Sequence, residues 1–182
     1  VLMFPEASYS FDGTATPLPR KMGILLKKLA VPVVMVKTEG AFLRDPLYNC
    51  LHKRRARVSA EVSCLFSAEE VAALPVEELD AGLDRAFTYD HFATQLKKRV
   101  AITEPFRADG LNRILYRCAS CGREGQMEGK GVHLTCHACG KQWKMDEYGA
   151  LSATVGETAF SHIPAWYAWE RALVRQELET GS

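Results

Sequence analysis

An α/β fold, carrying a small four-cysteine β module and a terminal helix, follows from three observations. Two buried-type apolar runs, residues 1–4 (Val-Leu-Met-Phe) and 31–36 (Val-Pro-Val-Val-Met-Val), flank a polar loop and a helix-like segment at about 19–30. Strand, loop, helix, strand is the order of a βαβ crossover, which predicts both strands in one parallel sheet. Two Cys-x-x-Cys pairs, Cys118/Cys121 and Cys136/Cys139, are separated by 14 residues. After Pro164, the apolar residues Trp166, Trp169 and Leu173 recur at helical spacing.

The elements follow in order. Glu6 and Ser8 stand just past the first run, at the carboxyl end of that strand, where parallel sheets bind ligands. Residues 57–66 alternate, with Val58, Ala60, Val62 and Cys64 on one face and Ser59, Glu61 and Ser63 on the other, the pattern of a strand with one wet face. Cys64 then reads as a plain core thiol. Ser67-Ala68-Glu69-Glu70 is a capping box that opens a short helix. Pro75 ends that helix and begins another, with Leu79, Leu83, Ala86 and Phe87 on one stripe continued by Phe92 and Leu96 through 88–99. Residues 100–102 read as a last short strand and residues 105–110 as a linker. The expected organisation is an α/β unit over 1–105, a linker over 106–115, the cysteine module over 116–148 and a helical tail over 149–182.

Composition narrows the function classes. The chain has 182 residues, 47% of them hydrophobic, enough for a packed core, and a formal net charge of +1, which gives no global attraction to nucleic acid or anionic lipid. It carries no signal-peptide pattern and no run of 18 apolar residues; the stretch 24–36 is broken by Lys27, Lys28 and Pro32. Four of the six cysteines stand at metal-type spacing, which points to a reducing, cytoplasmic compartment.

Each second cysteine of the pairs is followed by glycine, Gly122 and Gly140. Two such knuckles place four thiolates around one tetrahedral Zn²⁺. Cys118, Cys121, Cys136 and Cys139 are the predicted ligands, His133 and His137 are spare, and the full ligand set marks a structural site. Residues 118–146 carry Arg123, Lys130, Lys141 and Lys144 against Glu124, Glu128 and Asp146, a weaker basic stripe than nucleic-acid ribbons show. Trp143 is assigned to the small core. A structural or docking role is expected for the ribbon, and nucleic acid is disfavoured. The terminal helix has Glu170, Glu177 and Glu179 against Arg171 and Arg175, which argues against an anionic membrane surface and for docking onto the chain itself.

Two basic clusters, Arg20/Lys21/Lys27/Lys28 and Arg44/Lys53/Arg54/Arg55/Arg57, fit either lipid headgroups and coenzyme A phosphates or plain solvated surfaces.

The amino-terminal block resembles the glycerophospholipid acyltransferase family, which includes the lysophosphatidate acyltransferases. Phe4-Pro5-Glu6-Ala7-Ser8-Tyr9-Ser10 stands where the family has Phe-Pro-Glu-Gly-Thr-Arg-Ser. Lys21-Met22-Gly23 matches a Lys-x-Gly at a helix start, and residues 31–36 match a Val-Pro-Val-Val-Pro-Val strand except at Met35. The resemblance covers residues 1–40 and extends weakly to about 105. It implies the C-terminal part of an acyltransferase α/β domain, moving an acyl group from acyl-CoA or acyl carrier protein to a lysophospholipid or glycerol phosphate hydroxyl. Glu6, Ser8, Tyr9 and Lys21 are the implied substrate-binding residues, with Glu6 on the acceptor or, in the alternative, capping the helix near Pro19. Tyr9 replaces an arginine that would grip a phosphate bidentately. Either Lys21 or an upstream base then supplies the charge, or the acceptor is not a simple phosphomonoester. The family's general base lies in a His-x-x-x-x-Asp pair. The fifth residues after His52, His91, His133, His137 and His162 are Arg57, Leu96, Ala138, Gln142 and Tyr167, so the base is expected upstream of Val1 and the fragment alone is expected to be inactive. The resemblance also implies a protein at a membrane surface, through its upstream part. The competing expectation is a non-catalytic acyltransferase-like domain whose ribbon binds a protein or nucleic-acid partner.

Overall fold

The computed structural model describes residues 1–181. Mixed helices and antiparallel sheets build two hydrophobic clusters. The first is organised by a two-stranded sheet, β1 (Val33–Glu39) and β2 (Ser59–Phe66), paired Val34 to Cys64, Val36 to Val62 and Lys37 to Glu61. Between the two strands lies a short helix, α2 (Ala41–Arg44). The helix preceding β1, α1 (Met22–Leu29), ends at Ala30, whose left-handed backbone (φ 51°) and N–H bond to Leu26 O close the last turn. Gly23 sits where a Cβ would stand 2.6 Å from the Val76 carbonyl, so glycine lets α1 lie against the chain at Val76, and its N–H donates to Asp80 Oδ1 at 2.6 Å.

The βαβ expectation fails. Residues 1–4 form no strand, and β1 pairs only with β2, antiparallel. Pro5 has no N–H to donate, and residues 4–7 close a turn, Ala7 N to Phe4 O at 3.1 Å. The alternating β2 instead supplies β1 with a partner along its whole length. Ala60, Val62 and Cys64, expected inside, are exposed, and so are Val34 and Val36 opposite them. The core lies against the other face, where Leu26, Phe66, Val71, Leu79 and Leu83 are buried.

The predicted capping box is present at α3 (Ala68–Ala73): Ser67 Oγ accepts from Glu70 N at 3.2 Å and Glu70 Oε2 from Ser67 N at 2.8 Å. Ser67→Ala is expected to cost about 1 kcal/mol, read as a lowered urea midpoint with an unchanged m-value. Next, α4 (Val76–Phe87) buries Leu79 and Leu83 as predicted. The expected continuation through 88–99 breaks at Thr88, whose hydroxyl turns back onto Asp84 O at 2.7 Å. Asp90 then caps a separate helix, α5 (His91–Lys98), accepting from Ala93 N at 2.8 Å. Residues 100–102 join no sheet, although Ile102 N bonds Glu147 O at 2.8 Å.

The second cluster holds an antiparallel meander of β3 (Met127–Lys130), β4 (His133–Cys136), β5 (Gln142–Met145) and β6 (Leu151–Ala153). Helix α6 (Ile163–Thr180), with Pro164 in its first turn, follows it. Residues 106–115, expected to be a linker, bury Ala108, Leu111, Ile114 and Leu115 in this core. The fourth strand lies in the segment expected to be tail. Tyr48 and Phe92, from the chain before the ribbon, belong to the same cluster. Arg54, from the second basic cluster, is also buried, donating from Nη2 to Tyr48 Oη at 2.8 Å and Arg107 O at 2.9 Å. The peptide arrangement, not a lipid, occupies that cation.

Candidate metal centre and the clefts beside Glu6

The four cysteines meet where the two knuckles face each other. Each knuckle turns on a glycine with left-handed backbone, Gly122 (φ 72°) and Gly140 (φ 73°). Their N–H groups bond back to Cys118 O and Cys136 O, both at 2.9 Å. All four Sγ atoms lie within 4.8 Å of one another. Cys118 Sγ is 3.8 Å from Cys139 Sγ, and Cys121 Sγ is 3.8 Å from Cys136 Sγ. Four sulfurs at the usual zinc–sulfur distance in a tetrahedron stand about 3.8 Å apart, so the spacing fits one metal ion with no position left for substrate.

The electrostatics need a cation to complete them. Burial pushes the Cys118 thiol up to about 12, so its thiolate form requires a positive partner. Cys121 is held down to about 7, chiefly by the Arg123 backbone amide. His137 is turned away to Glu128, Nε2 to Oε2 at 3.0 Å, and among the described residues the cluster contains cysteines only.

Helix α6 is fastened to the residue before the first ligand. Trp166 Nε1 donates to Arg117 O at 3.0 Å, Arg117 N donates to Glu170 Oε1 at 2.8 Å, and the Arg117 guanidinium pairs with Glu124 and Glu177. Trp166 meets Trp143 edge-on, ring centroids 4.9 Å apart. The terminal helix therefore docks onto the chain itself, and Trp143 packs the ribbon core. The sequence places Glu170 among the outward charges of the terminal helix, and its burial is not anticipated there. It is fully buried, and burial pushes its carboxyl up to about 8. The available signal was its place four residues after Trp166, on the inward stripe.

Glu6 is half-buried. Its Oε1 accepts from Thr16 N at 3.2 Å, Thr16 Oγ1 at 3.3 Å and Tyr89 Oη at 2.9 Å, which ties the amino-terminal loop to the segment between α4 and α5. Glu6, Ser8 and Tyr9 line an apolar groove of about 920 Å³ together with residues 31–36 of the β1 approach and Leu26 and Phe87. Lys21 lies outside it. Exposed at the turn into α1, Lys21 is not brought together with the other three. On the other side of Glu6 opens a polar cleft of about 410 Å³, lined by Lys37, Glu39, Arg57, Tyr89, His91 and Lys98. His91 is stacked on Phe42 at 5.3 Å, and burial lowers its pKa. Nothing in the sequence pattern pointed to this cleft, because its lining comes from four separate segments.

Among the described residues no helix is long and apolar enough to cross a membrane. In comparisons with known proteins, no family model, no curated protein and no solved structure matches this chain.

Proposed function

We propose that the chain is the C-terminal part of a glycerophospholipid acyltransferase carrying a structural zinc ribbon. The observation that carries this reading is the groove: Phe4-Pro5-Glu6 and residues 31–36, two separate elements of the family resemblance, line one apolar space of about 920 Å³. That volume lies in the range of ligand sites, and its apolar lining suits an acyl chain. The uncovered face of Val34, Val36, Val62 and Cys64 adds support, since apolar patches of this kind are normally covered by protein or ligand.

In this reading the acceptor hydroxyl attacks the thioester carbonyl, the thiol leaves, and a histidine in an upstream His-x-x-x-x-Asp removes the hydroxyl proton. Glu6 contributes Oε2 to the acceptor, Oε1 being occupied within the fold. Zinc is the metal of the cysteine cluster, holding the ribbon and taking no part in the chemistry. The protein works at the cytoplasmic surface of a membrane, which it meets through its upstream part.

The test is acyl transfer by the full-length protein from acyl-CoA or acyl carrier protein to lysophosphatidate. Glu6→Gln retains an oxygen for Thr16 and Tyr89 and loses the anionic acceptor. It is expected to raise the acceptor KM several-fold with little change in the donor KM. A full-length protein with no His-x-x-x-x-Asp and no transfer would leave the non-catalytic reading in its place.

A further inference from the structure

Lys37 stands at a position where its strand points inward. Along β1 the half-buried positions are Val33, Met35, Lys37 and Glu39, alternating with exposed ones. Val33 packs against the core, and Met35, Lys37 and Glu39 continue the same face into the polar cleft. Glu39 is paired there with Lys98. Lys37 has no such partner: Glu61 is opposite it in register, yet no ion pair or hydrogen bond joins Lys37 to Glu61 or to any other described residue. The Arg57 side chain, on the lining of the same cleft, likewise makes no hydrogen bond or ion pair with any described residue.

The cleft therefore holds two cations without an ion pair or hydrogen bond among the described residues, Lys37 acting on Glu39 only through space. Glu39 and Lys98 neutralise each other, and burial favours the neutral form of His91. The remaining acid, Glu6, already receives three hydrogen bonds at Oε1 and makes none from Oε2. A ligand that satisfies all of these groups has an anion at one end and a hydroxyl at the other. The volume of about 410 Å³ admits a small molecule of that kind.

We infer that this cleft binds a small phosphorylated polyol, with Lys37 and Arg57 on the phosphate and Glu6 Oε2 accepting a ligand hydroxyl. The choice of a glycerol phosphate as probe rests on the acyltransferase reading; the anion site stands on the cleft alone. It also answers the question raised by Tyr9. The phosphate charge is met by Lys37 and Arg57, from β1 and the approach to β2, and not by Lys21.

The test uses the whole metal-loaded chain, with inorganic phosphate and glycerol 3-phosphate as separate probes, followed by amide chemical shifts. Both probes are expected to bind. Lys37→Met and Arg57→Gln should each weaken both at least fivefold, since charge-assisted contacts are the strong ones. Glu6→Gln should weaken glycerol 3-phosphate and leave phosphate unchanged, and Lys144→Ala on the ribbon should change neither. Arg57 is exposed, so its variant reports even if Lys37→Met disturbs the sheet. Undiminished binding in both cation variants, or a loss confined to Lys21→Ala, overturns the site. In the full-length protein, acyl transfer with an unchanged acceptor KM in Lys37→Met and Arg57→Gln sinks this inference and leaves the acyltransferase reading intact. Cation-dependent binding in a protein that transfers no acyl group upholds the site and sinks the enzyme.

Discussion

Removing the metal, or replacing Cys136 with Ser, is expected to unfold the ribbon and release α6. Structural zinc contributes on the order of 10 kcal/mol of folding free energy in small modules, and whole domains are stable by only about 5–15 kcal/mol. Losing it leaves a buried cysteine pair, Cys118 and Cys136, and a short meander whose core is finished by Trp143 and Trp166. That tryptophan pair supplies the readout. Titration with a strong chelator should shift tryptophan emission to the red as metal leaves, with about one zinc per chain found by elemental analysis beforehand. Acid should do the same, because thiolates must stay deprotonated to bind. Replacing the exposed Cys139 should be milder than replacing Cys136. A chain that retains its emission and melting temperature after its metal is stripped would disprove a structural role.

The second large effect belongs to Glu170. Its folded pKa of about 8 is above the ordinary value of 4.5, with desolvation the main cause. The native state therefore keeps a proton that the unfolded chain gives up, and stability falls as pH rises from about 4.5 to 8 and levels off above that. Each pKa unit is worth about 1.4 kcal/mol, so the rise from 4.5 to about 8 makes the loss on the order of 5 kcal/mol. Arg117 opposes the shift and Glu124 adds to it. Glu170→Gln retains an oxygen for Arg117 N and removes the titration. Denaturant melts from pH 5 to 9 should show a flatter profile for the variant and a more stable protein at pH 9. Parallel profiles for the two proteins would mean that Glu170 titrates alike in the folded and unfolded chain.

What the sequence made legible was whatever depends on local spacing. The capping box at Ser67, the existence of a strand over 59–66 (though not which face it buries), the helix after Pro75 and the two cysteine knuckles each need only residues within a few positions of one another. The docking of α6 was also readable, because Trp166 and Trp169 lie on a face too acidic for an anionic membrane. Pairing was not readable. The run at residues 1–4 has the composition of a buried strand, but composition does not say which neighbour supplies the hydrogen bonds, and β2 took the place beside β1. The stripe from Leu83 to Leu96 continues in phase across Thr88 and Asp90, which hid a break made by side chains bonding to backbone. Arg54 and Glu170 read as surface charges because the partners that hold them inside, Arg107 for Arg54 and Arg117 for Glu170, each lie 53 residues away. Residues 106–115 were read as a linker from Pro105 and Gly110, although their apolar members Leu111, Ile114 and Leu115 fill the ribbon core. Of the residues that the resemblance implies for substrate, the grouping of Glu6, Ser8 and Tyr9 follows from adjacency, while the cleft of Lys37 and Arg57 exists only once the strands are paired.

Tyr48 and Phe92 carry a consequence for descent. They sit in the same packed cluster as Leu134, Trp143 and Trp166, and Tyr48 bonds to Arg107 O at 3.1 Å while Asn49 Nδ2 holds Phe106 O at 2.9 Å and Asp109 O at 2.8 Å. A recombination event that copied only the segment between the first and last cysteine would carry the metal ligands without the side chains that close the core. The ribbon is thus tied to its host: substitutions at 48, 49, 92 and 108 should track those at 134, 143 and 166.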